Sequence, residues 1–93
     1  MSIEGTTFQN DTDLTDAIRE VLAATFSLPV ADVHESLAAA ELPTWDSLHH
    51  FTLIVALEDQ FGVTYTSDEI PQMTSIPAIA RVTAHHLGLN GAG

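Results

Sequence analysis

Apolar residues recur at helical spacing in three stretches of this chain, and each stretch is flanked by residues that start or stop a helix. Leu14, Ile18, Val21, Leu22 and Thr25 share one helical face. Asp11, Thr12 and Asp13 supply N-cap candidates and first-turn acids ahead of them, and Pro29 ends the run. A first helix is therefore predicted over about residues 12–27. Leu48, Phe51, Ile54, Val55 and Leu57 mark a second, starting at Asp46 or Ser47 and closing at Phe61-Gly62, where glycine suits a C-terminal cap. Leu53 and Ala56 widen its apolar surface, so this helix is expected to be central, with several neighbours packed on it. The last helix has Thr74 or Ser75 as its cap and Pro77 in its first turn. Ile76, Ile79, Ala80, Thr83 and Leu87 form its inner stripe, and Gly88 is its stop.

The segments between these helices differ in kind. Residues 29–46 keep no period and form a connection longer than compact domains usually allow, which suggests function or tethering. Val30, Val33, Leu37, Leu42 and Trp45 are the expected tethers, and Ala38-Ala39-Ala40-Glu41 suits a single helical turn. Pro43 keeps Leu42 extended. Val63 to Thr66 is β-branched, extended and too short for a sheet. Ser67 is the expected cap of a short third helix with Asp68 and Glu69 in its first turn. Pro71 shortens that helix and makes it 3₁₀ in part, so it should be the least protected against hydrogen exchange. The fold class expected is all-α: a four-helix bundle of three longer helices and a short third one, with a long loop between the first two. Residues 1–10 read as a flexible N-terminal tail, 11–88 as the domain and 89–93 as a flexible C-terminal tail.

Composition narrows the chemistry. At 93 residues with 45% hydrophobic content, the chain suits one folded domain with a modest core. It has no cysteine, which excludes disulfides, thiol catalysis and cysteine–zinc sites. No apolar run approaches the roughly 20 residues of a membrane span. Met1 to Asn10 lacks the regions of a signal peptide, so a cytoplasmic location is the default. Thirteen acidic residues face only Arg19 and Arg81, for a formal charge of −11. Such a surface disfavours nucleic acid and anionic membranes and suits basic protein partners, although solubility alone also accounts for it.

The candidate chemistry lies at Asp46-Ser47-Leu48, where irregular chain turns into the second helix. Serine and aspartate stand at helix starts for a plain reason, because their side chains bond free first-turn amides. The same position also offers a hydroxyl to a phosphate, since a helix N-terminus presents unpaired amides and partial positive charge. A hydrolase is disfavoured. Contiguous residues on one turn cannot align nucleophile, base and orienting acid, and the chain has no G-x-S-x-G elbow. His49-His50 and His85-His86 are adjacent pairs that point about 100° apart, so neither chelates by itself; exposed histidines are expected rather than a metal site. Acidification would add positive charge at His49 and His50 and weaken binding to basic partners.

The ordered motifs carry a resemblance. Trp45-Asp46-Ser47-Leu48 is followed by Leu57-Glu58-x-x-Phe61, then Asp68-Glu69-Ile70, then Thr74-Ser75-Ile76-x-Ala78-Ile79. Over about residues 12–88 this series resembles the acyl carrier protein family, carriers of fatty-acid, polyketide and related pathways. The D-S-L core alone is weakly specific and the ordered set strongly so. The resemblance implies a four-helix bundle and no catalytic activity of its own. It implies that Ser47 receives 4′-phosphopantetheine from coenzyme A through a phosphopantetheinyl transferase, and that the arm's thiol holds acyl groups as thioesters. Partners implied are that transferase, an acyl-loading enzyme, and a synthase or acyltransferase with a basic docking surface. The residues expected to meet them are Asp46, Leu48, His49, Thr52, Val55, Glu58, Asp59, Asp68 and Glu69. Many fatty-acid carriers have acids where this chain has His49, His50 and Thr52. The stretch Leu42-Pro43-Thr44-Trp45-Asp46-Ser47-Leu48 looks more like discrete carriers of specialised pathways. The glycine-rich lead of many peptidyl carriers is absent, which lowers an aminoacyl cargo. Where the chain begins and ends suggests a free-standing carrier, although an excised domain would look similar; a monomer is expected. The rival readings are a peptidyl carrier, or an acidic helical adaptor in which Ser47 is only a cap.

Overall fold

A computed structural model describes residues 11–88, and the expected tails at 1–10 and 89–93 lie outside the described residues. The architecture is all-α. The described residues form three α-helices: α1 (Asp11–Phe26), α2 (Ser47–Phe61) and α3 (Ile76–Leu87). Three short 3₁₀ turns join them, at Val30–Asp32, Ala39–Glu41 and Ile70–Gln72.

The ends of the helices follow local chemistry closely. Asp46 caps α2 by accepting the His49 amide, and Ser75 caps α3 by accepting the Ala78 amide. Gly62 and Gly88 close the two helices in the left-handed conformation, at φ 68° and 75°, where a side chain would be strained. At the end of α1 the left-handed position falls on Ser27, φ 57°, two residues before Pro29. The Leu28 amide then bonds back to the Ala23 carbonyl.

Leu14, Ile18 and Leu22 of α1 meet Leu53, Ile54, Leu57 and Phe61 of α2 and Ile76, Ile79 and Val82 of α3 in one core. The expectation that α2 is central is corrected: α1 packs against both α2 and α3 and is the shared layer. The reason is that apolar residues surround α2 rather than all facing inward. Leu48, Phe51 and Val55 lie on its outer face and are 71%, 63% and 48% exposed. On α3 the inner face is Ile76, Ala78, Ile79, Val82, Thr83 and Ala84, while Ala80 and Leu87 are only half-buried.

The long connection is tied down throughout. Val33, Leu37 and Trp45 are buried as expected, Leu42 is half-buried, and Val30 is exposed, contrary to its expected role as a tether. Polar bonds do that work for the first turn: Arg19 donates to the Val33 and Val30 carbonyls and pairs with Asp16. One of the two basic side chains is thus spent on holding the loop to α1. Further on, an isolated antiparallel bridge joins Ala38 to Ser75, with Ala39 N–H on the Thr74 carbonyl (2.8 Å) and Ile76 N–H on the Leu37 carbonyl (2.9 Å).

The expected short third helix is not an α-helix. Residues 67–69 form a turn, and only Ile70–Gln72 is 3₁₀. Its cap is Thr66 rather than Ser67: Thr66 Oγ1 accepts the Glu69 amide (3.1 Å) while Glu69 Oε1 accepts the Thr66 amide (2.9 Å). That reciprocal pair closes the turn one residue early, and Pro71 then prevents a longer helix.

Candidate functional site

Ser47 is the first residue of α2 and is exposed. Residues Thr44 to Asp46 approach it without regular helix. The lead-in is anchored from below, where the Trp45 ring is buried and packs edge-on against Phe26, centroids 5.7 Å apart. Burial of Trp45 therefore fixes the chain two residues before the serine and leaves the hydroxyl outside.

The first-turn amides divide into two groups. Asp46 Oδ1 accepts the His49 amide at 2.9 Å, and the His50 amide reaches the Asp46 carbonyl at 2.8 Å. The amides of Ser47 and Leu48 have no hydrogen-bond partner among the described residues. An anion at the Ser47 hydroxyl would meet these two donors and the positive end of α2, a fit to the phosphate that the expected arm brings. Asp46 opposes that anion by its charge. Part of this charge is answered by His49, whose Nδ1 lies 2.9 Å from the same oxygen. The His49 amide, then its side chain, hold the Asp46 carboxyl below its ordinary pKa.

Beside Ser47 is a cleft of about 310 Å³ lined by Ala39, Trp45, Asp46, Ser47, His50 and Thr74. Along the outer face of α2 runs an apolar surface, where Phe51, Thr52, Val55, Ala56 and Asp59 line a shallow groove. Leu48 continues this stripe to the helix start, at positions 48, 51 and 55 on one side of the helix.

The residues expected to meet partners fall into two groups. Leu48, Thr52, Val55 and Asp59 lie on the exposed side of α2, with Asp46 and His49 at its start. Glu58 and Glu69 are half-buried and internally engaged: Glu58 Oε2 accepts the Tyr65 amide (2.9 Å), and Glu69 accepts His86 Nε2–H (2.7 Å). Asp68 is exposed on the turn, where its carbonyl takes the Gln72 amide side chain.

The expectation of plain exposed histidines is corrected at His50 and His86. Both are half-buried and bonded, His50 to Trp45 and Ile70, His86 to Glu69. Sequence alone marks His50 as a source of positive charge in acid and His86 as one of an adjacent pair, and gives neither a bonding partner. Two signals were available: an indole one turn before His50, and an acidic turn that must pack on the end of the last helix. Among the described residues no group of three or more metal-ligating side chains gathers. None of the described helices is long and apolar enough to cross a membrane.

No family model matches the chain, and no solved structure matches it. Over 81 residues it is similar, at 26% identity, to the non-reducing polyketide synthase pkbA of Emericella nidulans. The matched stretch covers 87% of this chain and 3% of the length of that synthase.

Proposed function

We propose that this protein is an acyl carrier serving polyketide or other specialised biosynthesis, with Ser47 as the attachment point of a 4′-phosphopantetheine arm. The observation that carries the reading is the placing of the D-S-L serine. It opens α2, exposed, beside two unpartnered amides, in a chain whose motif order resembles carriers. The similarity to a polyketide synthase supports a carrier-type region, because 81 matched residues are the size of one small domain within a far longer protein.

Bound at Ser47, the arm supplies a thiol on which an acyl group is held as a thioester. The chain's own residues do the rest. The Ser47 and Leu48 amides would hold the phosphate, while Asp46 fixes the helix start and Trp45 anchors the lead-in. Separate enzymes attach and load the arm, so the protein itself is no enzyme. Its partners dock on the outer face of α2, where Leu48, Phe51 and Val55 offer apolar contact and Asp59 an acid for a basic rim.

Intact mass after incubation with coenzyme A and a broad-specificity phosphopantetheinyl transferase tests this. One phosphopantetheine should be gained by the natural chain and none by Ser47→Ala. No gain with several transferases overturns the carrier reading and leaves the acidic adaptor.

A further inference from the structure

His50 is held in two directions at once. Its Nδ1 accepts the Trp45 indole N–H at 2.9 Å, and its Nε2 donates to the Ile70 carbonyl at 2.8 Å. Both partners are one-sided, since an indole only donates and a carbonyl only accepts. In this arrangement the ring is neutral and carries its proton on Nε2. A second proton has to enter at Nδ1, where it meets the Trp45 N–H, and donor then faces donor. Trp45 is 7% exposed and stacks on the His50 ring with centroids 6.1 Å apart, so its N–H finds no replacement acceptor without moving.

The charged groups around His50 are otherwise engaged. Asp46, on the lead-in, bonds the His49 amide and ring. Glu41, on the 39–41 turn, bonds the Ala38 amide and lies 3.4 Å from His34. Glu69, next to Ile70, bonds His86 and the Thr66 amide, and Asp68 is exposed. Thr74, across the cleft, is uncharged. Among the described residues no carboxylate bonds His50, so none of them replaces the bond that protonation breaks.

We infer that His50 is a proton-operated latch on the cleft beside Ser47. When neutral, it joins Trp45 to the 70–72 turn and closes one wall of that cleft. When protonated, it keeps the Ile70 carbonyl and releases Trp45, so the wall opens between the His50 ring and the indole. The latch belongs to the unmodified chain and does not depend on Ser47 carrying an arm.

Trp45 is the only tryptophan in the chain, which makes its indole N–H a direct probe. In unmodified protein its NMR signal should change together with the His50 imidazole signals as the solution is acidified. Its exchange with water should rise about tenfold or more at the acid end, as a buried bond is lost. His50→Gln offers one acceptor and one donor without titrating, so the indole should become insensitive to pH. His86→Gln should leave the Trp45 titration in place. An indole signal that stays fixed in the natural chain overturns the latch. So does one that titrates unchanged in His50→Gln, which would assign the effect to His49, or one that is lost in His86→Gln.

Discussion

His86 of α3 donates from Nε2 to Glu69 Oε1 at 2.7 Å, and the same oxygen accepts the Thr66 amide at 2.9 Å. One carboxylate therefore both closes the turn after residue 66 and fastens it to the end of α3. The His86 bond, then the Thr66 amide, lower the Glu69 pKa from its ordinary value. A lowered carboxyl pKa means that folding gains from the ionised form above the ordinary glutamate value of about 4.3 and loses that gain as pH falls through the folded value. The 66–72 turn should thus loosen in acid well before α1. In Glu69→Gln at neutral pH, its amides should exchange about fivefold faster, corresponding to a loss of about 1 kcal/mol. Hydrogen exchange read by mass spectrometry checks both, and equal protection in the natural and Glu69→Gln chains would remove Glu69 from this role.

Ser47→Ala should separate attachment from folding. The hydroxyl is exposed and the cap of α2 comes from Asp46, so unfolding free energy should change by less than about 0.5 kcal/mol. Denaturant titration beside the mass assay measures this. A large loss of stability would mean that the serine serves the helix rather than an arm.

The stripe on α2 is the expected contact for partners. Leu48→Ser, Phe51→Ser and Val55→Ser remove exposed apolar surface, so the fold should keep or slightly gain stability. Transferase kcat/KM should fall roughly tenfold for the most buried contact, equivalent to about 1.4 kcal/mol. If the acids set the encounter instead, raising salt would weaken binding steeply and these substitutions would matter little. Kinetics of the three variants at low and high salt decide between the two.

Tyr65 and Thr83 share a hydrogen bond of 2.7 Å inside the core, and Thr83 is fully buried. Tyr65→Phe should cost about 1 kcal/mol, softened because Thr83 can turn to a carbonyl of its own helix. Burial raises the Tyr65 pKa, the Thr83 bond offsets part of this, and the charges of Glu58 and Glu69 add to the rise. The stability it contributes is therefore complete below the ordinary tyrosine value of about 10 and declines as pH rises toward the folded value. Thermal unfolding of both chains from neutral to strongly alkaline pH should show the natural chain losing more than Tyr65→Phe.

Gly62 sits at φ 68° with nothing within 4 Å of the place a Cβ would take. Gly62→Ala should still destabilise by about 1 kcal/mol, through backbone strain rather than a clash. A neutral result in chemical denaturation would show that α2 can end in another way.

Much of the candidate site could be read before folding is considered. Asp46 and Ser75 as caps, Gly62 and Gly88 as stops, and Ser47 at the head of α2 all follow from bonds within one turn. The third helix was harder. Thr66 and Ser67 are equally good caps by type, and the choice fell to Thr66 because Glu69, three residues on, completes the reciprocal pair. Val30 looked like a tether from its side chain alone, yet its carbonyl is what Arg19 holds.

By itself, then, the sequence determined the three helices, the caps of α2 and α3 and the exposed serine, because those depend on neighbours within about four residues. Tertiary structure alone decided which side of α2 is covered, since an apolar residue on every side leaves periodicity without a preference until α1 takes one face. It also decided the partners of His50 and His86, which lie 20 and 17 residues away along the chain at Ile70 and Glu69. A histidine's type fixes only what it can donate or accept; packing α2 and α3 against one turn fixed what it meets.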